Sequence, residues 1–237
     1  MAERKTEFVE GEFYHLYNRG NSKQIIFLDD NDKDRFIKLL YLCNSNKSFN
    51  FRDDIVEKNI DALDFKKNKD IVSIGAWVLM PNHFHLLLNI SPTSEVGEDS
   101  ISVFMRKLCL AYSKYFNKKY ERVGGLFESN FKATHVSSDI YLKYIFSYIH
   151  LNPVKMIFPK WKENGLKDNK KALEFLNKYK WSSYPDFRGK KRLENKIISR
   201  EDFPDYFLDQ KVFDDEIFEW LTFTPTSDVG VNNGDEI

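Results

Sequence analysis

The sequence predicts an α+β fold, a ferredoxin-like antiparallel sheet with helices. Three observations lead there. The patterned segments run strand, helix, strand, strand, helix, strand, and then one further helix, which is the split βαβ arrangement. Residues 71–90 hold two apolar strands separated only by Pro81-Asn82, as in an antiparallel hairpin. The other breaks in pattern fall at turn or capping runs, Gly20-Asn21-Ser22, Asp30-Asn31-Asp32 and Ser137-Ser138-Asp139. In such a sheet the helices are expected to cover one face and leave the second for ligands.

Residues 12–19 alternate as the first strand, with Phe13, His15, Tyr17 and Arg19 on one face. The run Asp30-Asn31-Asp32 then caps a helix that carries Phe36, Ile37, Leu39, Leu40 and Leu42 and stops near Asn44-Ser45-Asn46. Residues 46–70 are polar and charged and read as a mobile insertion. Residues 71–80 form a buried strand, and 83–90 return as its hairpin partner. A loop opens at Ser91-Pro92-Thr93. Residues 101–115 carry Phe104, Leu108, Ala111 and Tyr115 at helical spacing, and Gly124-Gly125 ends that region. Residues 127–136 read as the last strand. The helix after Ser138 places Ile140, Tyr141, Tyr144, Ile145, Tyr148 and Ile149 on one stripe. Asn152-Pro153 is expected to end it, because a residue before proline is pushed out of the α region. One domain is expected over residues 1–190, with an acidic extension over 191–237. In the extension Phe213, Ile217, Trp220 and Leu221 have the spacing of a docked helix, and partial disorder is expected after about residue 225.

Composition narrows the classes. No apolar run approaches the ~18 residues of a membrane span, and residues 1–7 lack the apolar segment of a secretory signal. A cytoplasmic protein is expected. Cys43 and Cys109 stand far apart, with no Cys-x-x-Cys spacing, which argues against a zinc site. The net charge of zero hides an asymmetry. Residues 201–237 hold one lysine and eleven acids, which leaves 35 of the 36 basic groups and 25 of the 36 acidic groups in the first 200 residues. A basic body is compatible with phosphate binding.

The strand Pro81-Asn82-His83-Phe84-His85-Leu86-Leu87-Leu88 carries the chemistry. Alternation sends Phe84, Leu86, Leu88 and Ile90 to one face and His83 and His85 together to the other. Two imidazoles side by side on a strand can chelate one divalent metal, although a lone His-x-His is more often incidental. Further along comes Ser147-Tyr148-Ile149-His150-Leu151-Asn152-Pro153-Val154. Together these segments resemble the single-tyrosine HUH (IS200-like) transposases, and within them the REP-associated tyrosine transposases. The resemblance also takes in Tyr14-His15-Leu16-Tyr17-Asn18-Arg19-Gly20, Ile26-Phe27-Leu28-Asp29-Asp30, Gly125-Leu126-Phe127 and Trp181-Ser182-Ser183-Tyr184. It covers roughly residues 10 to 185.

The resemblance implies a single-stranded DNA endonuclease and transesterase that cuts near hairpins. It implies Tyr148 as the nucleophile, forming a covalent 5′-phosphotyrosine and a free 3′-hydroxyl. From pattern alone Tyr148 reads as a core aromatic on a stripe with Tyr141 and Tyr144. His83 and His85 are the expected ligands of Mg2+ or Mn2+. Asn152, four residues after Tyr148 and so on the same helical face, is either the third ligand or the cap of the helix end. The expected contacts to DNA are His15, Tyr17, Arg19, Phe127, Phe131 and Lys132. The expected partner is hairpin-flanked single-stranded DNA, with the protein a monomer or a homodimer. Two other classes stay open: a metal-dependent phosphohydrolase without a covalent intermediate, and a non-catalytic nucleic-acid binder. A covalent protein–DNA adduct separates the first reading from both.

Overall fold

The structure is a computed structural model, and it describes residues 6–222 of the chain. Four strands form one antiparallel sheet: β1 (Phe13–Arg19), β2 (Val72–Met80), β3 (His83–Ile90) and β4 (Lys132–Val136). Their order across the sheet is β2-β3-β1-β4, which is the expected split βαβ topology. The last strand is shorter than expected. Residue 127 makes only an isolated bridge to Gly20, and regular pairing begins at Lys132.

Two helices cover the face of Phe84 and Leu88: α1 (Asp30–Cys43) and α2 (Ser100–Lys119). Phe36 of α1 lies 4.8 Å from Phe84 and 5.0 Å from Tyr112 of α2, ring centre to ring centre. The N-cap of α1 is Asp29, one residue before the expected run, and it accepts from the Asp32 amide at 2.9 Å. Asp32 is fully buried. Its carboxylate accepts from the Leu28 amide, the Tyr115 and Tyr120 hydroxyls and the Lys119 ammonium, so one charge ties α1 to the end of α2. At the far end, buried Asn44 bonds both ways with the backbone that opens β2, accepting from the Ile71 and Val72 amides and donating to the Val72 carbonyl.

The segment 46–70 is not the loose insertion its composition suggested. It folds into short turns at Arg52–Val56 and Ala62–Asp64 that bury Ile55 and Ala62 beside Leu42 and send Leu63 into the main core. Three apolar anchors in a polar stretch gave too little periodicity to register.

The second face of the sheet is also covered, contrary to expectation. Helix α3 (Asp139–Leu151) crosses it, capped by the Ser138 hydroxyl on the Tyr141 amide. The buried stripe of α3 is Leu142, Ile145, Phe146, Ile149 and His150; Ile140 is 81% exposed and does not belong to it. The helix ends at Leu151 with Asn152 in the cap position, as expected. Asn152 itself keeps α geometry (φ −52°, ψ −41°) and the chain runs on into a tight turn over Asn152–Met156, so the preference before proline is overridden.

Three short helices follow: α4 (Trp161–Asn164), α5 (Asn169–Lys178) and α6 (Tyr184–Phe187). Between α5 and α6 the motif Trp181-Ser182-Ser183-Tyr184 acquires a role that its sequence did not reveal. It pairs with the outer edge of β2: the Leu79 amide donates to the Trp181 carbonyl at 2.9 Å, and the Ser183 amide to the Trp77 carbonyl at 2.9 Å. The Ser183 hydroxyl also lies 2.7 Å from His150 Nε2, which joins α3 to that edge.

The acidic extension packs into the same core as far as it is described. Phe207 stacks on Phe146 at 3.8 Å, and Phe203 lies so close to Gly75 that a Cβ there would approach its ring to 2.5 Å. A last helix, α7 (Gln210–Thr222), docks Phe213, Ile217 and Leu221. The disorder expected after about 225 lies outside the described residues. Among the described residues no helix is long and apolar enough to cross a membrane.

The region around α6 depends on one buried ion pair. Arg192 Nε donates to Asp186 at 2.7 Å and its other nitrogens reach the Lys180 and Ser182 carbonyls, while the Asp186 carboxylate is fully buried. Arg192→Met should destabilise the protein by about 3–5 kcal/mol, because it strands that carboxylate. A urea unfolding midpoint equal to that of the parent would refute this.

Candidate active site

Strand alternation puts His83 and His85 on the α3 side of β3, and it puts His15, Tyr17 and Arg19 on the same side of β1. The register aligns Tyr17 with His85 and Arg19 with His83. His15, one pair along, reaches diagonally, and its Nε2 lies 2.9 Å from His85 Nδ1 with the rings stacked 5.0 Å apart. His83 and His85 are 5.0 Å apart, edge to face. From α3, Tyr148 sets its ring edge-on to His85 at 5.4 Å and to His15 at 5.9 Å. The structure therefore brings His83, His85 and Tyr148 into one cluster, as their positions in the sequence led us to expect.

The histidines are held neutral. Burial brings the His83 pKa down to about 4, helped by the charges of Lys155 and Arg19. Burial holds His85, which is wholly enclosed, well below the ordinary histidine value, with His15, His83, Lys155 and Lys162 adding to it. Each ring has one nitrogen engaged. His83 Nδ1 lies 2.7 Å from Asn82 Oδ1, an acceptor, so that nitrogen carries the proton and Nε2 keeps its lone pair. In His85 the tautomer that donates from Nδ1 to His15 leaves the lone pair on Nε2, and that atom is buried without a protein partner.

Asn152 is the third expected ligand. It lies one helical turn past Tyr148 and is 2% exposed, with neither amide atom hydrogen-bonded to protein. The capping role has no bond to support it. The turn that bears it packs on β2 and also bears Lys155, whose charge is felt by both histidines. Among the described residues no group of three or more His, Cys, Asp or Glu side chains is placed to hold a metal. Two neutral imidazoles and an orphaned buried amide are nevertheless nitrogen and oxygen donors of the kind that Mg2+ or Mn2+ would take. The orienting bonds from Asn82 and His15 are those that ligating histidines ordinarily have. The residues present fit such an ion.

The expected DNA contacts divide. His15 and Tyr17 are 4% exposed and lie beneath the surface against His85. Phe127 packs edge-on to Phe84, on the far face of the sheet, and Phe131 stacks on Phe8. Neither joins the histidine cluster. Arg19 is paired with Glu128 beside β1. Lys132 is exposed next to Tyr17, its ammonium 5.7 Å from that ring.

Two residues at the site carried no sequence signal beyond being basic or aromatic. Lys162 sets its ammonium 4.1 Å from the centre of the Tyr148 ring, and burial, with the charge of Lys155, brings its pKa down to about 7. Trp220 of α7 packs on Tyr144, and a small cleft lined by Tyr144, Tyr148, Lys162 and Trp220 opens beside the tyrosine. Neither placement is legible locally, because both depend on how segments after α3 fold back.

The family described as "Transposase IS200 like" matches residues 34–152, which span both histidines, Tyr148 and Asn152. Among solved structures the chain is similar to a REP-associated tyrosine transposase bound to a REP hairpin, at 14% identity over 82% of this chain and 90% of that one, with a TM-score of 0.48. It is also similar to a transposase candidate from Deinococcus radiodurans R1, at 17% identity over 61% and 92% of the two chains, with a TM-score of 0.33. A third similarity is to the tRNA(His) guanylyltransferase of Saccharomyces cerevisiae, at 11% identity over 86% of each chain, with a TM-score of 0.35. Comparison with curated proteins gave no match.

Proposed function

The chain belongs to the IS200-like transposase family, and from that premise we propose that it is a divalent-metal-dependent endonuclease and transesterase for single-stranded DNA, of the REP-associated type, which cuts near hairpins through a covalent link to Tyr148. The observation that carries this reading is the convergence of two neutral histidines and Tyr148 in one cluster, with ring separations of 5.0 and 5.4 Å.

His83, His85 and Asn152 would hold Mg2+ or Mn2+, which supplies Lewis-acid polarisation of a phosphate oxygen. His15 and Asn82 orient the two imidazoles. The Tyr148 oxygen gives its proton to solvent and attacks phosphorus. The P–O bond to the 3′-oxygen breaks, that oxygen leaves and takes up a proton, and a 5′-phosphotyrosine remains. The new bond is again a phosphodiester, so a second strand's 3′-hydroxyl can displace Tyr148 and rejoin DNA without a nucleotide cofactor. Lys162 lies over the ring of Tyr148 and, in its protonated form, places a positive charge beside the phosphate.

The test is incubation with a pool of hairpin-flanked single strands and Mn2+, read on a denaturing gel. Protein-linked DNA is the expected result. Cleavage without a linked species would select a phosphohydrolase, and neither would leave a binding protein.

A further inference from the structure

The chain carries equal numbers of basic and acidic side chains, 36 of each, yet one groove contains a single sign. It lies between α1, α2 and the wall formed by residues 48–56, and holds about 780 Å³. Five cations line it, Arg35, Arg52, Lys107, Lys114 and Lys118, and no carboxylate does. Ser48, Asn50 and Tyr115 add neutral polar groups, and the rest of the lining is apolar and partly open to water: Leu110 is 55% exposed and Val56 60%, and Phe49 and Phe51 stand beside them.

Two of the cations build the groove. The Arg35 guanidinium lies 3.5 Å from the centre of the Phe51 ring and 4.7 Å from that of Tyr115, which fixes the wall to both helices. The Lys107 ammonium donates to the Ser45 and Lys47 carbonyls and so anchors the start of the same segment. Arg52 is exposed and paired with Glu57 at 3.1 Å. Lys114 and Lys118, one turn apart on α2, are exposed on the groove's side. The groove is therefore what the packed 46–70 segment contributes to the surface. It sits outside the helical layer that covers the Phe84 face of the sheet, and the histidines and Tyr148 are on the other face.

We propose that this groove binds unpaired DNA, as a second site on the opposite side of the sheet from the cluster around Tyr148. The identity of the polymer rests on the reading of the chain as a DNA-processing enzyme. Phosphates account for the cations but not for Leu110, Val56 and Phe49. A duplex brings its backbone to the rim and leaves those side chains in water. An unpaired strand brings base faces that cover them while its phosphates follow Lys114 and Lys118, as on other single-strand platforms.

The test uses the full chain, an unstructured oligothymidine and a blunt hairpin of equal charge, with affinity measured across a salt series. Lys114→Gln/Lys118→Gln should weaken oligothymidine binding about fivefold or more at low salt and reduce the salt slope by about 1.4, at about 0.7 for each lost phosphate contact. Leu110→Asn should weaken it with the slope unchanged, since it removes apolar cover and no charge. The hairpin should be indifferent to both changes, and the losses should be the same in a Tyr148→Phe background, because separate sites act additively. Unchanged oligothymidine binding, or an equal loss on the hairpin, would overturn the proposal. Adducts that persist in Tyr148→Phe would sink the active-site reading and leave this result standing.

Discussion

Tyr148→Phe protein should form no covalent adduct with DNA, with a fall in adduct yield of at least about 10³-fold, while it keeps its fold and binds single strands as the parent does. The substitution deletes one oxygen and leaves the ring against His85, His15 and Lys162. A lost nucleophile has no nearby substitute of equal geometry, and losses of this order are typical when a nucleophile is removed. The informative alternative is Tyr144, whose ring is 6.0 Å from that of Tyr148 on the same helix. Adducts that survive in Tyr148→Phe and vanish in Tyr144→Phe would move the nucleophile one turn back.

His85→Ala should be costly twice. Sequence alone suggested a ligand exposed on an open face, whose loss would leave stability nearly untouched. The ring is instead fully buried and bonded to His15. Its removal leaves a cavity and an unpaired imidazole, so a loss of about 2–4 kcal/mol is expected with the loss of metal-dependent cleavage. His83, at 9% exposure, is the gentler probe of the same role. Cleavage by His83→Ala that equals the parent's, and that resists a chelator, would remove the metal from the mechanism.

These two expectations show where sequence was sufficient and where it was not. The hairpin was legible because its alternation is local and its turn is Pro81-Asn82. The pairing of His83 with His85 on one face followed from the same alternation. The part of His15 was not legible: it depends on the register that sets Tyr17 opposite His85, which no local pattern encodes. The enclosure of the cluster was hidden for a similar reason. It is produced by α3 and by later segments that fold back to bring Lys162 and Trp220 beside Tyr148. Periodicity also misassigned Ile140, whose apolar side chain stays in water at the first turn of α3. Pro153 marked the end of α3, but Asn152 kept α geometry, because packing of the following turn outweighs a modest backbone preference.

The strand-like run at Trp181–Ser183 has a consequence for how copies of this protein can meet. A four-stranded sheet has two outer edges, and each is a template for another strand. Here one template is already filled from within the chain, because the Leu79 amide and the Trp77 carbonyl are spent on residues 181 and 183. Among the described residues the other edge, β4, pairs only with β1. A sheet with one blocked side can join another copy only once. Edge-to-edge growth then stops at a closed pair and cannot propagate into a fibre.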